Sequence, residues 1–369
     1  MAGGSGERFW PVSRESRPKQ LLKLASGRTM IEEAVERAEA LAGAGNVLIA
    51  ANELVADAMR EALPNLPPEN ILAEPMKRNT AACLAFAAAH ASRFGSSEEV
   101  SMAVLTADHA IGAPDRFAET VARALDVAES GDWLVTLGIR PTRPEIGYGY
   151  IEGGEFLDAL SAQSGAKFAA KGKGSSSGAR RVAHFIEKPP LEVAEEYVKE
   201  DKFFWNSGMF FWRVSTLEKA FRDHLPNHAD ALADMRDAIL YGNRSQLGEI
   251  FGRLEPVSID VGVIEKARNV AVLPASFPWD DVGEWSALLR FGQRDKNGNV
   301  VVGDAILEDC RDTVAYNAST SGKMLAAAGL REQIVVLTDD AALVVPLAEA
   351  QRVKSLVAKL RGAGRKELL

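Results

Sequence analysis

With only two cysteines in 369 residues, Cys83 and Cys310, the chain has neither a disulfide framework nor zinc-ligand spacing. A reducing cytoplasm is the simplest setting for it. Its start lacks the charged n-region and apolar h-region of a signal peptide. No apolar run approaches the roughly 20 residues that a membrane-spanning helix needs. Positive charge is in deficit: 43 Lys and Arg stand against 51 Asp and Glu, a formal net charge of −8. A nucleic acid or an anionic membrane as partner would need a net basic footprint, so both are excluded. Two common phosphate signatures are missing as well. No Gly-x-x-x-x-Gly-Lys-Ser/Thr occurs, and the glycine cluster at the start lacks the spacing of a dinucleotide fingerprint. No internal repeat stands out.

What is present is a globular composition, 47% hydrophobic and 25% charged, long enough for about two domains. From residue 29 onward helical and strand patterns alternate. Thr29-Met30-Ile31-Glu32 is a capping box that opens a helix through residue 41. Residues 46–50 read as a short buried strand, and Asn79 or Thr80 caps an Ala-rich helix that runs to residue 94. Residues 101–106 form a strand ending in Ala107-Asp108-His109, Pro114 opens a helix to about residue 129, and 133–137 is another strand. This alternation predicts an α/β domain with a largely parallel sheet and helices on both faces. Ligands then gather at the carboxyl ends of the strands, where Asp108 falls. Residues 161–181, dominated by Gly, Ser, Ala, Lys and Arg, read as a mobile surface loop between two strands. Past the Asp295-Lys296-Asn297-Gly298 turn come short strands near 300–307, 313–316, 334–338 and 342–345, then an amphipathic helix over 347–360. The expected division is a larger domain over 1–294 and a small β-rich domain over 295–369 ending in a helix.

The first twenty residues carry the strongest chemical signal. Gly3, Gly4, Ser5 and Gly6 leave backbone N–H groups bare and able to approach a ligand closely, which makes an anion-binding concavity. Arg8, Arg14 and Lys19 follow, with Glu7 and Glu15 as the only acids nearby. Bare N–H groups plus clustered cations suit a polyphosphate. Downstream, Leu105-Thr106-Ala107-Asp108-His109 ends a strand in a carboxylate, where a magnesium ion would find the oxygen ligand it prefers. His109, a nitrogen donor, reads instead as a hydrogen-bonded structural residue. Gly147 and Gly149 let backbone approach a hydroxyl-rich ring, Glu187 can accept sugar hydroxyls, Lys188 can neutralise a sugar phosphate, and Asn206 can donate and accept.

Residues 2–20, from Ala2-Gly3-Gly4-Ser5-Gly6-Glu7-Arg8 to Arg17-Pro18-Lys19-Gln20, resemble the signature of sugar-1-phosphate nucleotidyltransferases. The Phe9-Trp10-Pro11 and Ser13-Arg14-Glu15-Ser16 wording favours the mannose-1-phosphate guanylyltransferase branch over the thymidylyl and adenylyl branches. Glu74-Pro75-Met76-Lys77-Arg78-Asn79-Thr80-Ala81 resembles the family segment lining base and ribose. Gly147-Tyr148-Gly149-Tyr150-Ile151, Phe185-Ile186-Glu187-Lys188-Pro189 and Trp205-Asn206-Ser207-Gly208-Met209-Phe210 match its sugar side in order. Asp108 and Asp281, the latter in Trp279-Asp280-Asp281-Val282-Gly283-Glu284-Trp285, look like its paired metal-binding aspartates, although Asp280 stands where the family often has serine.

The resemblance implies a Rossmann-like nucleotidyltransferase domain and a C-terminal module of β-helix-like or sheet-stack type. It implies transfer of GMP from GTP to mannose-1-phosphate, giving GDP-mannose and pyrophosphate, with Mg2+ held by Asp108 and Asp281. Arg8 and Lys19 would meet the triphosphate and Lys188 the attacking sugar phosphate. Gly3, Gly4, Ser5, Gly6, Glu74, Arg78 and Asn79 would bind the nucleotide, and Gly147, Tyr148, Gly149, Glu187, Lys188 and Asn206 the sugar phosphate. Two alternatives stay open: another sugar-1-phosphate or base, such as glucose-1-phosphate, and a non-catalytic nucleotide-sugar-binding regulatory subunit. Retention of Arg8, Lys19, Asp108, Lys188 and Asp281 argues against the second. Some members also carry a sugar-phosphate isomerase domain, for which the chain shows neither room nor the metal-binding histidines. A homo-oligomer is left open. Family members run an apolar strand into the glycine loop, whereas Met1-Ala2 starts directly at it. The first strand is therefore expected to be missing, leaving neighbouring strand edges unpaired. About six further apolar residues would restore it.

Overall fold

The computed structural model describes residues 1–4, 6–24, 27–158 and 178–369. Ser5 and residues 161–177 of the expected surface loop lie outside the described residues. Helix α1 (Met30–Ala42) starts at the expected capping box: Glu32 N donates to Thr29 Oγ1 at 3.3 Å, and Thr29 N donates to Glu32 Oε2 at 2.6 Å. Strand β1 (Ile49–Asn52) starts three residues later than 46–50, because Ala44–Asn46 forms a 3-10 turn after α1. It pairs in parallel with β2 (Ile71–Glu74), and α2 (Glu53–Ala62) lies between the two in sequence. Helix α3 (Asn79–Ala91) is apolar on all sides and buried on all sides, as that pattern requires. Neither expected cap forms. Asn79 takes a φ of 65°, with its Oδ1 accepting from Thr80 N at 2.8 Å, and the Thr80 hydroxyl accepts from Ile259 N at 2.8 Å.

The central sheet contains β3 (Ser101–Val104), β5 (Leu134–Ile139), β6 (Gly149–Phe156), β7 (Arg180–Glu187), β8 (Phe203–Arg213) and β9 (Val270–Pro274), in the spatial order β3-β8-β5-β9-β7-β6. Strands β3, β5, β6 and β9 run one way, which is the expected parallel sense, and β5 and β9 are direct parallel neighbours. Strands β7 and β8 run against them and supply the antiparallel contacts. Helix α4 (Pro114–Glu129) begins at Pro114 as expected and packs on β5 and β8. Between β8 and β9 the helices Val214–His224, Pro226–Leu240 and Arg244–Arg253 enclose the far side of α3, with Trp212, Phe221 and Phe251 fully buried among them.

In the C-terminal part, β11 (Val300–Val302), β13 (Val314–Asn317) and β15 (Gln333–Leu337) stack in parallel rungs, and β12 (Ala305–Glu308) stacks on β14 (Leu325–Ala328) as a second wall. Strand β16 (Ala342–Pro346) closes the first wall antiparallel. This is β-helix-like geometry. β14 escaped the sequence reading because Leu-Ala-Ala-Ala has no strand propensity of its own; pairing with β12 overrides it. The expected single terminal helix is a 3-10 segment, Leu347–Arg352, running into the helix Val353–Gly362.

At the other end, the Met1 ammonium donates to Leu105 O at 2.8 Å, and Ala107 N donates to Met1 O at 3.1 Å, a parallel bridge beside β3. Ala2 N reaches Ala50 O on β1 at 2.9 Å. Among the described residues no strand continues this bridge. Between β1 and β3 lies an apolar cleft of about 560 Å³, lined by Ile31, Val35, Leu84, Ala87, Met102 and Val104 among others. A Val/Ile-rich hexapeptide fused ahead of Met1 is expected to enter this cleft, pair both edges and raise Tm. Scanning calorimetry of the extended and unextended chains checks this; equal melting would show that the cleft does not take a strand.

Candidate active site

Two short strands, β4 (Ala110–Ile111) and β10 (Trp279–Asp280), pair antiparallel and bring Asp108 and Asp281 to one place. The Lys19 ammonium lies between them, 3.0 Å from Asp108 Oδ2, and donates to the Asp281 and Val282 carbonyls at 3.0 and 2.9 Å. Burial opposes the charged form of Asp108, but Lys19 and His109 outweigh it and hold the carboxyl below its ordinary pKa. Asp281 Oδ1 accepts from the Tyr148 hydroxyl. Burial, with Asp281 adding to it, pushes that phenol's pKa far up, so it stays a donor. The neighbouring acid has another partner: Arg290 donates from Nε and Nη2 to the two oxygens of Asp280 at 2.5 and 2.9 Å. The adjacent carboxylates thus have different partners, Arg290 for Asp280 and the Tyr148 hydroxyl for Asp281. Val282 is fully buried at a φ of 49°, a left-handed conformation that a β-branched residue adopts only under constraint. His109 Nδ1 accepts from Trp279 Nε1 at 3.0 Å, the hydrogen bond expected of it, and burial lowers its pKa.

The glycine loop lies over this centre. A Cβ at Gly4 would stand 3.9 Å from Asp108 Oδ2, and one at Gly6, whose φ is 62°, would meet Lys19 Cβ at 2.6 Å. Only glycine permits that approach. Space around Gly3 is open. Arg8 Nε is buried without a hydrogen-bond partner, a donor poised for an acceptor. Arg14 corrects the reading of three clustered cations. Its Nη1 donates to Leu368 O at 2.5 Å and its Nη2 to Asp340 Oδ1 at 2.8 Å, so it fastens the C-terminal module.

Glu74, at the end of β2, is buried, and burial raises its carboxyl pKa. Arg78 is engaged elsewhere: its Nε donates to Phe251 O at 2.8 Å and its Nη2 to Gly252 O at 3.2 Å, in the last turn of Arg244–Arg253. The structure gives it a helix-capping role and does not bring it to the loop. On the sugar side, β6 and β7 place Gly149 opposite Glu187, and a Cβ at 149 would lie 2.7 Å from Glu187 Oε2. Lys188, at a φ of 48°, pairs with Glu187 at 2.5 Å, and its N–H donates to Tyr148 O at 3.2 Å. The Tyr148 ring meets Trp205 and Trp279 edge-on at 5.2 and 5.6 Å, which joins this side to the aspartates. Asn206 Nδ2 donates to Asp260 Oδ1 at 2.8 Å. Asp260 stands alone in its segment, with no acid or motif beside it, and only the folded contact reveals it.

The nucleotidyl transferase family model matches residues 1–298. The chain belongs to this family. A second model, a MannoseP isomerase/GMP-like beta-helix domain, matches residues 303–360, in agreement with the stacked rungs. The chain is 35% identical over 373 residues to a mannose-1-phosphate guanylyltransferase of Escherichia coli strain K12, covering 100% of this chain and 74% of that protein. It is 36% identical over 376 residues to the xanthan biosynthesis protein XanB of Xanthomonas campestris pv. campestris strain B100, covering 100% of this chain and 73% of XanB. A crystal structure described as mannose-1-phosphate geranyltransferase from Thermus thermophilus superposes with a TM-score of 0.82 at 35% identity, covering 98% of both chains. No helix among the described residues is long and apolar enough to cross a membrane.

Arg14→Ala is expected to lower stability by about 1.5 kcal/mol, through loss of a charge-assisted contact to a half-exposed partner, while leaving nucleotide affinity unchanged. Thermal melting together with GTP titration checks this; weakened GTP binding at unchanged Tm would return Arg14 to the phosphate site.

Proposed function

We infer that the chain is a mannose-1-phosphate guanylyltransferase, transferring GMP from GTP to mannose-1-phosphate and releasing pyrophosphate. The observation that carries this is the meeting of the glycine loop, Lys19, Asp108 and the Asp281 segment at one point, in a chain aligned over its whole length with enzymes of that name. A phosphate oxygen of mannose-1-phosphate attacks the α-phosphorus of GTP; the new P–O bond forms as the α–β anhydride bond breaks, and the electron pair leaves with pyrophosphate. Two anions must approach, so the protein's work is positioning and charge neutralisation. No covalent nucleophile is required.

Arg8, with its buried unpartnered Nε, and the bare N–H groups of Gly3, Gly4 and Gly6 would hold the triphosphate. Glu74 and Asn79 would line the base. Lys188 would exchange its contact with Glu187 for the sugar phosphate. Asp108 and Asp281 fit Mg2+, which takes hard oxygen donors and one or two carboxylates, with phosphate and water completing the shell. Bound there, the ion would draw negative charge from the reacting phosphate.

Pyrophosphate release over a grid of four nucleotides and several sugar phosphates tests the reaction, with highest kcat/KM expected for GTP and mannose-1-phosphate. Asp108→Asn and Asp281→Asn are each expected to lose most turnover while staying folded, since each removes a charged oxygen ligand at constant size. Magnesium titration of both variants checks this; wild-type turnover at wild-type magnesium would remove that residue from the site. Lys188→Ala is expected to raise KM for the sugar phosphate about tenfold or more, as loss of a charge-assisted phosphate contact does, with a smaller rise for GTP. Equal damage to both substrates would assign the lysine to the triphosphate.

A further inference from the structure

Asn206 matches the sugar-side pattern, yet its amide is almost fully used within the protein. Its Oδ1 accepts from Gly208 N at 3.2 Å and lies 3.1 Å from Thr136 Oγ1, whose single proton it shares with Met209 O at 3.0 Å. The Gly208 N–H fixes which end of the amide is oxygen. The other end donates to Asp260 Oδ1. Asn206 is thus a bracket, and the group it presents is a carboxylate.

Asp260 opens a π-helical turn, Asp260–Ile264, a rare geometry that recurs at functional sites. The turn is fastened on both sides. Ile259 N donates to the Thr80 hydroxyl at 2.8 Å, Ala81 N donates to Val257 O at 3.2 Å, and a Cβ at Gly262 would meet Leu225 Cδ1 at 2.8 Å. No ion pair among the described residues neutralises Asp260. The charged groups acting on it are Glu187 and, less strongly, Glu265, both acids; burial first and Glu187 second raise its pKa. Glu187 itself is paired with Lys188.

We propose that Asp260 is a sugar-reading carboxylate of the mannose-1-phosphate subsite, held in place by Asn206 as a positioning residue. This rests on the guanylyltransferase reading above. Asp260 has no cationic partner among the described residues, and Lys188 meets Glu187 at Oε1 alone, so both acids keep an acceptor that the neutral donors of a polyol can meet. The same pair repels a phosphate, so the phosphate end of the ligand is turned toward Lys188 and the hydroxyl-bearing ring toward Asp260. Orientation then comes from charge, and discrimination between epimers from which hydroxyls reach the two acids.

Asp260→Asn keeps size and the acceptor facing Asn206 but turns the other oxygen into a donor. Steady-state kinetics should show KM for mannose-1-phosphate raised about tenfold or more, KM for GTP within about twofold, and Tm unchanged. The preference for mannose-1-phosphate over glucose-1-phosphate should fall as well. Asn206→Ser should give the same sugar-only effect, and the double variant should be no worse than Asp260→Asn alone, since one acts through the other. Should Asp260→Asn fail to fold, Asn206→Ser carries the test by itself. An unchanged sugar KM in an active variant, or equal rises for both substrates, overturns the proposal and leaves the functional reading intact. Wild-type protein that fails to turn over mannose-1-phosphate with GTP overturns both.

Discussion

Lys19 is almost entirely buried, and a buried ammonium persists only where acceptors surround it. Its acceptors are the Asp108 carboxylate and the carbonyls of Asp281 and Val282, so one charge ties the glycine-loop segment to two others far along the chain. The β4–β10 ribbon supplies the backbone for that meeting, and Tyr148 extends it to the sugar side through Asp281. Removing the ammonium would leave the half-buried Asp108 without its main counter-charge. Loop, aspartates and sugar strand therefore depend on one another, which is what chemistry between two polyanions demands of a site.

The C-terminal module takes part in that arrangement. Phe9 and Trp285 meet at 5.0 Å between ring centroids, and Trp285 and Tyr316 at 5.0 Å. Trp285 Nε1 donates to Trp10 O at 3.1 Å, Trp10 Nε1 to Leu368 O at 2.8 Å, and the Tyr316 hydroxyl to Lys23 O at 2.7 Å. Arg361 reaches both Glu7 and Glu15. The stacked rungs thus brace the residues just behind the glycine loop, in a common core with the aspartate segment. Of the non-glycine residues with positive φ, Asn79, Lys188 and Val282 lie in segments of the candidate site, and Ala113, Asp309, Asp312 and Glu332 lie elsewhere. Such conformations persist only where surrounding packing over-determines them.

Much of the site was legible because its chemistry is local in sequence. The glycine run, the Asp108 strand end and the Glu187–Lys188 pair each carry their residue types within a few positions. The capping box at Thr29 and the helix opened by Pro114 were legible for the same reason, since both signals act within one turn. What failed was whatever depended on a distant partner. Arg14 reads as one of three phosphate cations until Asp340 and Leu368 are seen to hold it. Arg78, read as a base contact, also donates from Nε and Nη2 to the end of a helix from another part of the chain, which its own neighbours do not announce.

The amino-acid order by itself determined the α/β alternation, the glycine-rich loop and which carboxylates were available, because turn chemistry, capping and periodicity are properties of neighbouring residues. Tertiary structure decided the rest. It gave Asp280 to Arg290 and Asp281 to the Tyr148 hydroxyl, made a strand of Leu325–Ala328 by stacking it on β12, and set β7 and β8 against the direction of the strands around them. It also brought Asp260 to Asn206. Each of these depends on which groups meet across long separations, and pairing, burial and counter-charge exist only once the chain has closed on itself.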